Sequence, residues 1–294
     1  GKTYTVEEAT FDSFKGMDIA LFAGGSISKD FAPHAVKAGA VVIDNSSAFR
    51  MDPEVPLVVP EVNPQAILKH KGIIANPNCS TIIMVMALKP IYDLAKIKRV
   101  IVSTYQAVSG AGKEGIDELD AQVREHSEGR EMTANILPSA SAEKHYPIAF
   151  NLIPQIDVFC DNLYTKEEMK MVNETKKIME DYEMRITATT IRVPVYRSHS
   201  ESVNIELEKE VDLGAMREAL AKFPGVTVQD DPSKQEYPMP LYTSEKDDVY
   251  VGRLRRDESC EKSYNMWVVG DQIRKGAALN TLQIAETMIK NGWI

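Results

Sequence analysis

The stretch Gly72-Ile-Ile-Ala-Asn-Pro-Asn-Cys-Ser-Thr-Ile-Ile-Met-Val-Met-Ala-Leu88 decides the fold of this chain. A short apolar run leads into the polar turn Asn76-Pro-Asn78, and a second apolar run, residues 82–88, follows the turn. This pattern is typical of a buried strand, a tight turn and a helix. It therefore predicts a helix that begins close to Cys79.

Two earlier apolar runs predict parallel strands. Residues 18–23 end in Gly24-Gly25-Ser26, and residues 40–44 form the second run. Residues 28–37 between them predict a short helix, with the alternative that Pro33 delays its start. Strand, helix and strand in this order predict a βαβ unit of a doubly wound, Rossmann-like α/β sheet, in which ligands bind beyond the carboxyl ends of the strands.

The pattern changes in the second half of the chain. Residues 184–207 largely alternate apolar and polar side chains, which predicts antiparallel strands with one face in solvent. Residues 100–104 predict another strand, and residues 109–112 predict a flexible loop. We therefore expect a second α+β domain with a mixed or antiparallel sheet.

The domain boundaries follow from this change and from the C-terminal segment. Residues 1–79 and 276–294 are predicted to form one domain, and residues 80–275 the other. Within the last segment, apolar residues recur near helical spacing, and Asn291-Gly292 supplies a stop signal. The predicted apolar face of this helix consists of Ala278, Leu282, Ala285 and Ile289.

Composition excludes several classes of function. The 294-residue chain has a formal net charge of -9, so it carries no diffuse basic field for nucleic acid or an anionic membrane. Its longest strongly apolar run, residues 81–88, falls far short of the roughly 20 residues of a membrane helix. The three cysteines show no CxxC spacing, which argues against a disulfide framework or a zinc ribbon, and we expect no metal site. We expect a soluble cytoplasmic protein.

Cys79 is a candidate nucleophile, because the N-terminus of a helix stabilises a thiolate. Asn78 offers an amide donor beside the sulfur. The alternative is an inert structural cysteine. Of the five histidines, His199 is the favoured base, since it lies in a polar cluster that leads into a strand, although spacing alone does not show that the two residues meet.

Five motifs resemble those of the aspartate-semialdehyde dehydrogenases of the bacterial branch. They occur in the family's order and span almost the whole chain. The motifs are Asn76-Pro-Asn-Cys-Ser-Thr81, Ser103-Thr-Tyr-Gln-Ala-Val-Ser-Gly-Ala-Gly112, His145-Tyr-Pro-Ile-Ala-Phe150, Arg192-Val-Pro-Val-Tyr-Arg-Ser-His-Ser-Glu201 and Arg274-Lys-Gly-Ala-Ala-Leu-Asn280.

The resemblance implies an NADP-dependent enzyme of lysine, threonine and methionine biosynthesis. It would interconvert L-aspartate 4-semialdehyde and phosphate with L-4-aspartyl phosphate through a cysteine thioester. The implied domains are a dinucleotide-binding domain and a catalytic and dimerisation domain, in a homodimer or a dimer of dimers. By resemblance, Cys79 is the nucleophile, His199 takes its proton, and Gln106 and Asn78 lie beside the sulfur.

The resemblance also implies the substrate contacts. Arg192 resembles the arginine that binds the α-carboxylate, for which its planar fork is suited. Thr165 and Glu168 predict a capping box, which leaves Glu167 and Lys170 on one helix face. In the family such a pair recognises the amino group and the phosphate, and Arg50 matches a second phosphate-binding residue. The alternative for the pair is a solvated ion pair.

The expected first strand and its glycine-rich phosphate loop do not precede residue 6, so we expect an N-terminally incomplete dinucleotide-binding domain. The alternative to cofactor binding at the remaining candidates is ordinary turn chemistry. These candidates are Gly24, Gly25, Ser26, Ser28, Ser109, Gly110, Gln272 and Gly276.

Two other functions compete with this interpretation. The first is another reductase of acyl phosphates, such as N-acetyl-glutamyl-phosphate reductase. Glu167 distinguishes the two enzymes, because the free amino group of aspartate semialdehyde needs a carboxylate partner and an acetylated amino group does not. The second is a non-catalytic interaction protein, against which the joint presence of Cys79, Gln106, Arg192 and His199 argues.

Overall fold

The computed structural model describes residues 2–140 and 142–294; Gly1 and Ser141, which fall within the predicted domains, lie outside the described residues. The chain divides into two compact units. The first runs to Pro77 and includes Asn280–Ile294, and the second is Asn78–Leu279.

The first unit contains a three-stranded parallel sheet in the order β1-β2-β3. Its strands are β1 (Ile19–Phe22), β2 (Val41–Asp44) and β3 (Ile73–Ala75). Val42, Ile43 and Ile74 are completely buried, which explains why these strands are continuous apolar runs. The predicted parallel strands are confirmed.

Helix α1 (Ser28–Lys37) connects β1 to β2. The predicted helix over residues 28–37 is confirmed; Pro33 lies inside it, so the alternative of a delayed start is wrong. A proline inside a helix removes one backbone hydrogen bond. Ala32 and Ala35 are buried in the same apolar cluster as Val42, and this burial offsets the stability lost with that hydrogen bond.

The C-terminal helix, α7 (Leu279–Lys290), directly follows a π-helical turn formed by residues 274–278. Its predicted apolar face is wrong, since Leu282 is 48% and Ile289 63% exposed. The buried residues are Asn280, Thr281, Ile284 and Met288. Ile284 and Met288 pack in the cluster that contains Ile43 and Ile74. Gly292 ends the helix in a left-handed conformation, as predicted.

The second unit contains a six-stranded mixed sheet in the order β5-β4-β6-β9-β8-β7. Its strands are β4 (Ile97–Gln106), β5 (Arg185–Arg192), β6 (His199–Leu207), β7 (Val226–Val228), β8 (Val249–Arg256) and β9 (Ser263–Gly270). β6 is antiparallel to β4, but β5 is parallel to it, so the expectation of antiparallel strands fails for β5. The long connection from β4 to β5 allows the parallel return.

The helices of the second unit are α2 (Cys79–Leu94), α3 (Lys113–Ser127), α4 (Lys166–Ile178), α5 (Leu213–Lys222) and α6 (Pro240–Thr243). One of them, α2, precedes the strands of the unit in the sequence, and the others connect them. Residues 109–112, predicted as a flexible loop, are largely part of the 3-10 turn Val108–Ala111. In the described part of the chain, no helix is long and apolar enough to cross a bilayer.

Gly72 and Gly39 offer a matched test of packing in the first unit. Their φ angles are +101° and +99°, but an added Cβ would lie 2.6 Å from Val36 Cγ1 at Gly72 and would touch nothing at Gly39. We expect Gly39→Ala to cost about 1–2 kcal/mol through backbone strain, and Gly72→Ala about 1–3 kcal/mol more through the clash. Urea unfolding of both variants measures the difference.

A third variant checks the cause. Adding Val36→Ala to Gly72→Ala should remove most of the extra loss, because Val36 supplies the atoms that clash. Equal destabilisation by the two glycine substitutions would show that the contact between position 72 and Val36 does not lower the stability.

Candidate active site

The register of the second sheet brings three of the predicted site residues to one end of it. Gln106 pairs with Arg192 across β4 and β5, and Tyr105 pairs with Ser200 across β4 and β6, which places His199 at the same end. Gln106, Arg192 and His199 are all buried. Their side chains belong to the buried face of the sheet.

Cys79 is the first residue of α2, as predicted. Asn78 is the helix cap, and its Oδ1 accepts a hydrogen bond from the Thr81 N–H at 3.2 Å. The unpaired N–H groups at a helix N-terminus favour a thiolate at this position. Gly276 approaches Cys79 so closely that an added Cβ would lie 3.1 Å from the cysteine Cβ.

Helix α4 holds the turn that precedes Cys79. The Asn78 side-chain amide donates to Glu167 Oε1 at 2.9 Å, and its backbone N–H donates to Glu174 Oε2 at 2.6 Å. We did not predict Glu174 from the sequence. Its position seven residues after Glu167, two helical turns along one face, is the signal that could have revealed it.

Glu167 is the centre of a buried polar network. Its Oε1 also accepts from Gln106 Nε2 at 3.3 Å, and its Oε2 accepts from Lys170 Nζ at 3.2 Å. Lys170 also donates to Asp157 at 3.0 Å. Burial lowers the pKa of Lys170, but the two carboxylates outweigh it and the net shift is upward. The predicted capping box of Thr165 and Glu168 is confirmed.

Arg192 is 3% exposed and lies within electrostatic range of Cys79 and Glu167. Its Nη1 donates to the Ala107 carbonyl at 2.6 Å, whereas Nε is buried and has no hydrogen-bond partner. Burial lowers the pKa of Arg192, and the charges of Glu167 and Cys79 oppose this effect. An arginine stays protonated in proteins, so the site contains a cation with an unused donor.

His199 is completely buried beside Arg192. Its Nδ1 accepts a hydrogen bond from the Ala107 N–H at 3.1 Å, and its Nε2 has no partner. Burial, with a further contribution from Arg192, lowers the pKa of His199 well below its usual value. A Cβ at Gly110 would lie 2.6 Å from Arg192 Nη1 and 3.3 Å from His199 Nε2, so only glycine leaves both groups open.

The cofactor candidates fall into two groups. Gly24, Gly25, Ser26 and Ser28 belong to the first unit, as does Arg50, which donates to the carbonyls of Asn45 and Asn76. Ser109, Gly110, Gln272 and Gly276 belong to the second unit. Among the described residues, no group of three or more potential ligands is arranged to hold a metal ion.

Gln272 already uses both ends of its side-chain amide. Its Oε1 accepts from the Ser198 N–H at 2.9 Å, and its Nε2 donates to Ser109 Oγ. Gln272 therefore connects the glycine-containing turn to the start of β6, next to His199.

Comparison with known proteins matches the two parts of the chain to two domains of one enzyme family. Residues 1–70 match the family model of the semialdehyde dehydrogenase NAD binding domain, and residues 88–275 match that of the semialdehyde dehydrogenase dimerisation domain. The chain is 57% identical over 298 residues to the aspartate-semialdehyde dehydrogenase of Aquifex aeolicus (strain VF5). That alignment covers 100% of this chain and 86% of that protein.

The chain belongs to the aspartate-semialdehyde dehydrogenase family. A second member, from Bacillus subtilis (strain 168), is 54% identical over 99% of this chain and 84% of its own length. The crystal structure of aspartate semialdehyde dehydrogenase II from Vibrio cholerae complexed with ASA is 46% identical, with a TM-score of 0.90 over 98% of this chain and 83% of that chain. The predicted family, fold class and enzyme class are confirmed.

The second unit also contains a buried carboxyl that we did not predict. Glu201 lies on β6 two residues after His199, so both side chains are on the same face of the strand. It is completely buried, and neither of its oxygens has a hydrogen-bond partner. Burial raises the pKa of Glu201 well above its usual value, which favours the uncharged form of this group.

Glu201→Gln tests this protonation state through stability. An unfolded chain releases the Glu201 proton near pH 4.5, whereas the folded chain keeps it, so native stability falls as the pH rises from there to the folded pKa. The stability of the Glu201→Gln variant does not fall for this reason, because glutamine does not ionise. We expect its stability relative to the native protein to increase by up to about 1.4 kcal/mol per pH unit in that window.

Urea unfolding between pH 5 and pH 8 makes the measurement. Glu261→Gln, at an exposed position, is the control and should show no such trend. A constant difference between the Glu201→Gln variant and the native protein across the range would show that Glu201 is ionised in the folded state.

Proposed function

We propose that this chain interconverts L-4-aspartyl phosphate with L-aspartate 4-semialdehyde and phosphate, using NADP and a thioester on Cys79. The reaction serves lysine, threonine and methionine biosynthesis. The family membership supports the reaction. The observation that carries the assignment of the site is the buried Arg192, whose Nε has no hydrogen-bond partner and whose charge interacts with Cys79 and Glu167.

Cys79 is the nucleophile in this proposal, and His199 is the histidine that acts on the reacting group through Nε2. Asn78 and Gln106 both donate to Glu167, so the three side chains form one hydrogen-bonded group in the site. These hydrogen bonds hold the Asn78 amide beside the nucleophile. Backbone N–H groups at the start of α2 would stabilise an oxyanion that forms on the substrate carbonyl.

Charge complementarity supports the substrate assignment. Arg192 would bind the α-carboxylate, since its guanidinium can present two parallel donors. Glu167 would bind the free amino group, which distinguishes this substrate from the acetylated one of N-acetyl-glutamyl-phosphate reductase. Lys170 uses two of its three N–H donors on Glu167 and Asp157, which leaves one for phosphate. Arg50 is the second phosphate-binding residue of the proposal.

The residues present fit a dinucleotide cofactor. Gly24, Gly25 and Ser26 follow β1 and are exposed; Gly25 has a φ of +64°, and an added Cβ there would meet nothing. Ser28 Oγ is buried nearby in sequence without a partner. We propose that these residues, with Ser109, Gly110, Gln272 and Gly276, hold NADP. When bound, the cofactor supplies or accepts the hydride.

The domain assignment follows the same proposal. Residues 1–79 and 276–294 would form the dinucleotide-binding domain, and residues 80–275 the catalytic and dimerisation domain. The match of residues 88–275 to a dimerisation domain supports assembly as a homodimer. We propose further that the enzyme is cytoplasmic and that two dimers can associate.

Replacing Cys79 tests the nucleophile. We expect Cys79→Ala to abolish NADPH formation from aspartate semialdehyde and phosphate and to leave the fold intact, because the variant lacks the sulfur on which the proposed thioester forms. Cys260→Ala, at a cysteine outside the site, is the control and should keep native activity. Near-native turnover by folded Cys79→Ala would refute the assignment.

Replacing Arg192 tests carboxylate binding. Arg192→Lys keeps a positive charge but loses the planar fork. We expect the KM for aspartate semialdehyde to rise at least about tenfold, the equivalent of about 1.4 kcal/mol. The KM for phosphate should change much less. An equal rise in both KM values would assign Arg192 to general electrostatics rather than to the α-carboxylate.

A further inference from the structure

Two carboxylates that differ in exposure share the ammonium of Lys170. Its Nζ lies 3.2 Å from Glu167 Oε2 and 3.0 Å from Asp157 Oδ2. Glu167 is buried, and its other oxygen accepts from Asn78 and Gln106. The Asp157 side chain, in contrast, is 34% exposed. A ligand that reaches Lys170 from solvent therefore meets the carboxylate of Asp157.

The backbone fixes the position of the Asp157 carboxylate. Asp157 has a φ of +68°, a left-handed conformation that Asp and Asn adopt more readily than most residues. Its Oδ1 accepts from the Val158 N–H at 2.8 Å. The Val158 carbonyl in turn accepts from the Lys166 N–H at 2.9 Å, in the first turn of the helix that carries Lys170. These contacts hold the carboxylate and the ammonium in a fixed relation.

Asp157 is ionised and can accept further hydrogen bonds. Burial raises the pKa of Asp157, but the hydrogen bonds from Lys170 and from the Val158 N–H outweigh burial, and the net shift is downward. An ionised carboxylate accepts hydrogen bonds and donates none, and each of its oxygens has two lone pairs. Each Asp157 oxygen receives one hydrogen bond, so each retains a lone pair for a ligand that carries a hydrogen.

An anion on the third N–H of Lys170 would lie close to this carboxylate. The three N–H groups of an ammonium are arranged tetrahedrally, so two oxygens that accept from one nitrogen at about 3 Å are roughly 5 Å apart. A second oxygen of the same tetrahedral anion can then come within hydrogen-bond distance of Asp157. The carboxylate therefore affects which anion Lys170 binds.

This arrangement distinguishes anions by their protonation. At neutral pH inorganic phosphate keeps at least one P–OH group, whereas sulfate has no hydroxyl. A P–OH group can donate to Asp157, but the oxygens of sulfate are only acceptors, and their charge is repelled by a carboxylate. A site that hydrogen-bonds a hydroxyl of its ligand rejects the analogue that lacks this hydroxyl.

We propose that Asp157 determines the anion specificity of the site: it accepts a hydrogen bond from the P–OH group of phosphate bound to Lys170, and it disfavours fully deprotonated oxyanions such as sulfate. This inference rests on the proposed function, in which Lys170 binds phosphate. The alternative is that Asp157 only keeps Lys170 charged and in place, in which case its effect on all tetrahedral anions would be the same.

Asp157→Asn removes the charge of the carboxylate with little disturbance of the backbone. Asparagine also adopts the left-handed conformation, and its Oδ1 can keep the hydrogen bond from the Val158 N–H. The measured quantities are the KM for phosphate and the Ki of sodium sulfate as a competitor of phosphate, at constant ionic strength. We expect the ratio of the sulfate Ki to the phosphate KM to fall at least about tenfold in the variant, the equivalent of about 1.4 kcal/mol.

The ratio separates the two alternatives, because a change in local charge or in the position of Lys170 alters both constants in the same direction. Asp161→Asn is the matched control: it removes the same charge from an exposed position four residues later and should leave the ratio unchanged. An unchanged ratio in folded Asp157→Asn, or an equal fall in the control, would overturn the proposal.

A second measurement does not depend on turnover. Calorimetric titrations of the native chain and of Asp157→Asn with sodium phosphate and with sodium sulfate compare the affinities directly. We expect the native chain to prefer phosphate and the variant to lose at least about tenfold of this preference. The same preference in both proteins would overturn the inference. If the native chain showed the expected preference but did not oxidise aspartate semialdehyde, the proposed function would fail, and the role of Asp157 in anion selection would stand.

Discussion

The arrangement of the site depends on the two backbone groups of Ala107. Its N–H donates to His199 Nδ1, and its carbonyl accepts from Arg192 Nη1. Backbone groups at the end of a paired strand cannot rotate freely, and β4 is paired with a strand on each side. One residue without a functional side chain therefore orients the ring and the guanidinium together.

Helix α4 supplies the complementary constraint on the nucleophile. Glu167 and Glu174, two turns apart on one face of α4, hold the side chain and the backbone of Asn78. A buried charge is stable only when it is paired and hydrogen-bonded. Glu167 meets this condition through Asn78, Gln106 and Lys170, so the same contacts stabilise the fold and fix the site.

The sequence allowed prediction of those features that local pattern determines. Continuous apolar runs identified the parallel strands of the first unit, and the Thr165 capping box identified the start of α4. It did not allow prediction of long-range pairing, so β5 was expected to be antiparallel. Helical spacing alone also misplaced the buried face of α7, because exposed Leu282 and Ile289 satisfy the same period. The role of Ala107 could not be predicted, because its backbone N–H and carbonyl make the contacts and nearly every residue type carries these groups.

The groups that the fold leaves without partners indicate where ligands act. Leaving a buried polar group unpaired costs about 1–3 kcal/mol, so few are expected in a stable protein. Arg192 Nε and His199 Nε2 are two such groups, and the side chains of both residues lie beside Gly110. The permanent positive charge of Arg192 favours an anionic ligand there and disfavours a cationic one. The raised pKa of Glu201 acts in the same direction, because a carboxylate on the His199 face of β6 would weaken the attraction of the site for anions and burial disfavours that charged form. A buried guanidinium and a carboxyl whose charged form burial disfavours therefore both favour an anionic ligand in an otherwise acidic chain.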